Sequence, residues 1–160
     1  MRALVLDFDG VVTPRALAEA HPVTDGMDWR DLAALMPRRL DPACVARVQR
    51  VCDEAAAVVV LSTSWRVLGL DVLRPILAAA GLTATVRGKI GRERDMHADR
   101  ARAIREWVGY HRDVTAWVAV DDRADVLAGL GPARCVLTNA ETGITDNDAA
   151  RAVALLTEGR

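Results

Sequence analysis

Lysine is almost missing from this chain: Lys89 stands alone beside twenty arginines. Alanine and valine are abundant, so the composition leans toward Arg, Ala and Val. Under such a lean, a lysine that arginine could replace tends to be replaced. A lysine that persists therefore draws attention, because a flexible point charge and a planar fork act differently at a tight site. Cysteine is sparse too. Cys44, Cys52 and Cys135 are scattered, odd in number and form no C-x-x-C pair. That pattern argues against a disulfide framework or a zinc site and for buried small hydrophobes. No run of roughly 18 apolar residues exists to span a membrane. The chain meets Asp7 and Asp9 at once, too early for the apolar stretch and cleavage site of a signal peptide, so a cytoplasmic location is expected. Charge of one sign is also lacking. The net charge of −1 excludes a polycation built to coat nucleic acid, though a local basic patch is compatible with it.

What is present suits one domain over residues 1–160. At 51% hydrophobic residues the chain can bury a sizeable core. Five short apolar runs predict strands near 3–7, 57–62, 83–87, 116–120 and 133–137. They are continuous and β-branched rather than alternating, as strands buried on both faces are. Helical spacing lies between them. Asp41-Pro42 supplies an N-cap and first-turn proline ahead of Val45, Val48, Val51 and Cys52. Further helices are expected over about 71–80, with Pro75 pointing to a later start, over 96–108, and from Asp146 onward. Alternating strands and helices predict a three-layer α/β/α domain with a mainly parallel five-stranded sheet. Residues 14–40 read as a long irregular segment, of the kind that often carries function.

Polar residues sit where the strands end. The first run ends in Asp7 followed by Asp9, the second in Ser62-Thr63-Ser64, and the fourth in Asp121-Asp122 with Asp125 just beyond. Ligands of open α/β sheets bind outside the carboxyl ends of strands. Carboxylates gathered there repel one another, and a divalent cation relieves the repulsion. All-oxygen ligands without His or Cys point to Mg2+. Such a cation beside carboxylates, a hydroxyl and a lysine suits phosphoryl transfer. One carboxylate can act as nucleophile and a second, two residues away, as general acid and base.

The run Asp7-Phe8-Asp9-Gly10-Val11-Val12-Thr13 behind an apolar strand resembles the first motif of the haloacid dehalogenase (HAD) superfamily. The hydroxyls after the second strand resemble its second motif, and Asp121-Asp122-Arg123-Ala124-Asp125 its acidic fourth. Leu61-Ser62-Thr63-Ser64-Trp65-Arg66, with Leu137-Thr138-Asn139 and Gly143-Ile144-Thr145, is similar to a narrower group, small HAD domains related to those of RNA-repair proteins. The resemblance implies a Rossmannoid HAD-like fold and a Mg2+-dependent phosphomonoesterase acting through an aspartyl-phosphate. Its substrate would be a nucleotide, a nucleic-acid end or a phosphorylated metabolite. It implies Asp7 as nucleophile and metal ligand, and Asp9 as general acid/base with its backbone carbonyl on the metal. Gly10 would free the turn to approach the phosphate. Thr63, or else Ser62, would bind the phosphate, with Ser64 beside them; Thr63 is preferred because Ser62 can still end the strand. Asp121 would bind the metal directly, with Asp122 or Asp125 completing the shell. Lys89 and Arg100 are rival candidates for the third-motif cation.

Neither insertion position holds an obvious extra domain, so no large cap is expected. The open site could be covered by a partner or by a second copy in a homo-oligomer. The histidines His21, His97 and His111 lack ligand spacing and read as surface residues. Trp65, Trp107 and Trp117 read as core or core edge, and Trp29 as a packing residue that could instead meet a substrate ring. The arginines at 92, 94, 100, 102 and 105 read as a solvated face. Two alternatives to an enzyme are a receiver-like phosphorylation switch and an inactive HAD-fold binding module. Receivers carry their acidic pair early and the acceptor Asp on the third strand, the reverse of the order here.

Overall fold

A computed structural model describes residues 1–91 and 99–158. Its five strands are β1 (Arg2–Leu6), β2 (Ala57–Leu61), β3 (Val86–Lys89), β4 (Ala116–Asp121) and β5 (Cys135–Leu137). They form an all-parallel sheet in the order β3-β2-β1-β4-β5. The helices are α1 (Arg15–Ala20), α2 (Trp29–Arg39), α3 (Pro42–Ala55), α4 (Leu70–Ala79), α5 (Arg100–Tyr110), α6 (Ala124–Ala128) and α7 (Asp146–Thr157).

The strand pleat sorts the core into two. Leu4, Leu6, Val59, Leu61, Val118 and Val120 face one side, where they pack with Val45, Val48 and Val51 of α3, Leu73 and Leu77 of α4, and Ala152 and Leu156 of α7. Ala3, Val5, Val60 and Ala119 face the other, against Ile104 of α5 and Leu127 of α6. Both faces of the sheet are therefore covered, as parallel sheets require, and the three-layer α/β/α, HAD-like expectation holds. All three cysteines are buried and free. No helix among the described residues is long and apolar enough to cross a membrane.

Several expected boundaries need correction. The segment 14–40 is not irregular: it contains α1 and α2. Asp28 caps α2 through a capping box with Asp31, and Pro37 is accommodated in its last turn. The third strand begins at Val86 rather than residue 83, because Gln49 of α3 accepts hydrogen bonds from the backbone N–H groups of Thr83 (2.7 Å) and Ala84 (2.9 Å). α4 starts at Leu70 and runs through Pro75 without interruption. β2 ends at Leu61, although the Ser62 N–H still donates to the Leu6 carbonyl (2.8 Å). α5 extends to Tyr110; its expected start at Met96, together with Arg92, Arg94 and His97, lies outside the described residues. Trp29 is 57% exposed and does not pack into the core.

Candidate active site

Successive strands step outward from β1 on both sides, so the winding reverses between β1 and β4. A crevice opens at the carboxyl ends of strands at such a switch point. Asp7 is the first residue beyond β1, and its N–H donates to the Val120 carbonyl (3.1 Å). Asp121 ends β4, and Asp122 follows. Carboxylate oxygens of Asp7, Asp121 and Asp122 all lie within 4.8 Å of one another. The chain then turns sharply: the Phe8 carbonyl accepts the N–H groups of Val11, Val12 and Thr13. Gly10 makes the turn feasible, because its φ is 72° and a Cβ there would collide with the Asp122 side chain. Thr138, just past β5, locks the turn by donating to the Gly10 carbonyl (2.8 Å).

Both oxygens of Asp7 are engaged. The Phe8 N–H donates to Oδ1 (2.8 Å) and Arg100 Nη1 to Oδ2 (2.7 Å). The same Arg100 nitrogen reaches Asp121 Oδ2 (2.6 Å). Burial pushes the Asp7 carboxyl up to about 7; Arg100 pulls it down and Asp121 pushes it up again. Asp122 is also raised, by burial first and then by Asp121. Burial works against the charge of Arg100, but Asp7 and Asp121 outweigh it and hold its pKa above the ordinary value.

Among the described residues the charge is unbalanced. Asp7, Asp9, Asp121 and Asp122 face only two guanidinium groups that touch them among the described residues, Arg100 and Arg39. Three converging carboxylates with a negative surplus fit a hard divalent cation, since oxygen donors alone suit Mg2+ or Ca2+ better than softer metals. The Asp9 carboxylate does not join this group. Arg39 Nη2 donates to its Oδ1 (2.9 Å) and Trp65 Nε1 to its Oδ2 (3.2 Å). Asp125 stays outside as well, exposed and paired with Arg123.

Sequence reasoning missed Arg39. It lies in a segment with no strand pattern, and one arginine among twenty carries no signal. Trp65 is buried, as expected, but its ring N–H serves as a polar handle. Of the hydroxyls, Ser62 and Thr63 are buried and Ser64 half-buried. Thr63 Oγ1 accepts the Trp65 N–H (3.4 Å) and so caps the 3-10 turn Ser64–Leu68. A hydroxyl that accepts can still donate its own hydrogen. Lys89 ends β3, and its Nζ donates to the Arg66 carbonyl (3.2 Å). Of the two rival cations, Arg100 is the one with a direct contact to Asp7.

No curated protein and no solved structure matches the chain. One family model does match, over residues 3–149: HAD domain in Swiss Army Knife RNA repair proteins. The match takes in β1 with Asp7, the hydroxyl run after β2, and β4 with its acidic pair. With a five-stranded parallel sheet that carries those residues at one edge, the chain belongs to the HAD superfamily, in the family of HAD domains found in Swiss Army Knife RNA repair proteins.

Proposed function

We propose that residues 1–160 act as one cytoplasmic HAD domain that hydrolyses phosphomonoesters, with Asp7 as nucleophile and Mg2+ as the metal. The observation that carries this reading is the position of Asp7. It stands at the switch point of the sheet, oriented by the Phe8 N–H and Arg100, beside Asp121 and Asp122.

Asp7, Asp121 and Asp122 would hold the cation, with the Asp9 backbone carbonyl as a further donor. When bound, Mg2+ supplies charge neutralisation for the phosphate oxygens. The side chains perform the rest. An Asp7 oxygen attacks phosphorus and the phosphorus–oxygen bond to the leaving group breaks, forming an aspartyl-phosphate. Asp9 gives its proton to the departing oxygen. Asp9 then takes a proton from water as that water attacks phosphorus, which releases phosphate and restores Asp7. Arg100 steadies Asp7 and supplies positive charge next to the transferring group. Thr63, or Ser62 beside it, donates to a phosphate oxygen, and Gly10 leaves room for close approach.

The side chain of Asp9 is 44% exposed, which suits a bulky leaving group. Together with the RNA-repair description of the family, this favours a phosphorylated nucleic-acid end over a free metabolite. Phosphate release from a panel of phosphoesters, including 3′- and 5′-phosphorylated oligonucleotides, tests the reading. Release in Mg2+ that stops in EDTA and in Asp7→Asn is expected. Mg2+ binding without turnover of any panel member would favour an inactive binding module.

A further inference from the structure

We propose that Arg39 and Trp65 are positioning residues that together hold the Asp9 carboxylate in its working orientation; this rests on the acid/base role given to Asp9 above. A carboxylate with 44% of its side chain exposed would ordinarily sample several rotamers. Here each oxygen has its own donor, Arg39 Nη2 at 2.9 Å on Oδ1 and Trp65 Nε1 at 3.2 Å on Oδ2. The two donors come from different elements, α2 and the 3-10 turn after β2. Fixing both oxygens fixes the carboxylate plane, and a proton donor misplaced by an ångström loses much of its effect.

The two donors also hold each other. The Arg39 guanidinium lies 5.2 Å from the centre of the Trp65 ring. Its Nη1 donates to the Ala18 carbonyl (3.1 Å) and the His21 carbonyl (2.6 Å), at the end of α1. Only 7% of the Arg39 side chain is exposed, and a charge so buried is costly unless paired. Asp9 is the one carboxylate it meets among the described residues, and its Nε has no hydrogen-bond partner there. A side chain needed only to fill space between α1 and α2 would not require this charge. The α1–α2 segment thus reaches the reacting centre through one buried guanidinium.

A purely structural role for Arg39 and Trp65 predicts lower stability and a uniform loss of activity. Positioning predicts a loss that depends on how much the leaving oxygen needs a proton. The test uses phenyl phosphates whose ring substituents span leaving groups from p-nitrophenolate to phenolate. The readout is kcat/KM, which reports the steps through transfer to Asp7. Trp65→Phe keeps an aromatic side chain beside Arg39 and removes the Nε1–H along with part of the indole; Arg39→Lys keeps the charge and loses the fork. Asp9→Asn is the reference, with about a 100-fold or larger loss expected for phenyl phosphate and a smaller one for p-nitrophenyl phosphate. Trp65→Phe and Arg39→Lys should each show the same steepening, with about a tenfold loss at the phenyl end, which a fall in melting temperature alone would not produce. In addition, the Trp65 indole N–H resonance, assigned by its disappearance in Trp65→Phe, should move in Asp9→Asn. If Asp9→Asn steepens the dependence while both other variants lose activity evenly or not at all, the positioning role is overturned and the acid role of Asp9 survives. If Asp9→Asn itself loses nothing selectively, the reading of Asp9 fails and the positioning role fails with it.

Discussion

Raising the pH on the metal-free protein should destabilise it through Asp7. Burial and Asp121 outweigh Arg100 and lift the Asp7 carboxyl from 3.8 to about 7. The folded state therefore keeps this proton over a range where the unfolded state has lost it. A raised pKa contributes stability that is complete below about pH 4, and this stability drains away as the pH climbs to 7. At 1.36 kcal/mol per unit the whole effect is on the order of 4 kcal/mol, of which about 2 kcal/mol falls between pH 5 and 7. Urea unfolding in EDTA at several pH values measures it, with Asp7→Asn as the comparison. An amide at position 7 cannot ionise, so the gap between variant and wild type should swing in the variant's favour by about 2 kcal/mol over that interval. Saturating Mg2+ should flatten the wild-type slope, because ligands must be deprotonated to bind a cation. Parallel pH profiles for wild type and Asp7→Asn in EDTA would refute the reasoning.

Gly10→Ala forces a Cβ onto a residue with φ of 72° and into the Asp122 side chain; a stability loss of about 1–2 kcal/mol by urea unfolding and weaker Mg2+ binding by calorimetry are expected. Arg100→Met leaves Asp7 and Asp121 without their shared guanidinium, so stability in EDTA at pH 8 should drop by about 3–5 kcal/mol and recover largely on adding Mg2+. Asp28→Ala removes the cap that accepts the Arg30 and Asp31 N–H groups, for a loss of about 1 kcal/mol in the same unfolding assay.

The strands were legible because burial on both faces writes itself as unbroken apolar runs, as in Ala57–Leu61 and Ala116–Val120. Asp7, Asp121 and Asp122 were legible for a related reason: an acid that ends such a run stands at the sheet edge where the strands meet. Boundaries set by contacts from afar were not. Gln49 delays β3 by occupying two backbone donors before it, and no pattern within residues 83–89 records that. The helix α2 did leave a trace, Asp28 and Asp31 ahead of Leu32, Leu35 and Met36, which Pro37 and the turn-like Asp25-Gly26 masked. With α2 unread, Arg39 could not be placed beside Asp9. The third-motif cation stayed open between Lys89 and Arg100 because both are near in sequence, and only the fold turns Arg100 onto Asp7.

The most direct test of Asp7 as nucleophile is to quench turnover of a labelled phosphoester in acid, where acyl phosphates persist, and map the label by peptide mass spectrometry. Label on the peptide that carries Asp7, present with Mg2+ and missing in Asp7→Asn, is the predicted result. Full turnover with no label on that peptide at any quench time, even when Asp9→Asn slows its hydrolysis, would contradict the account.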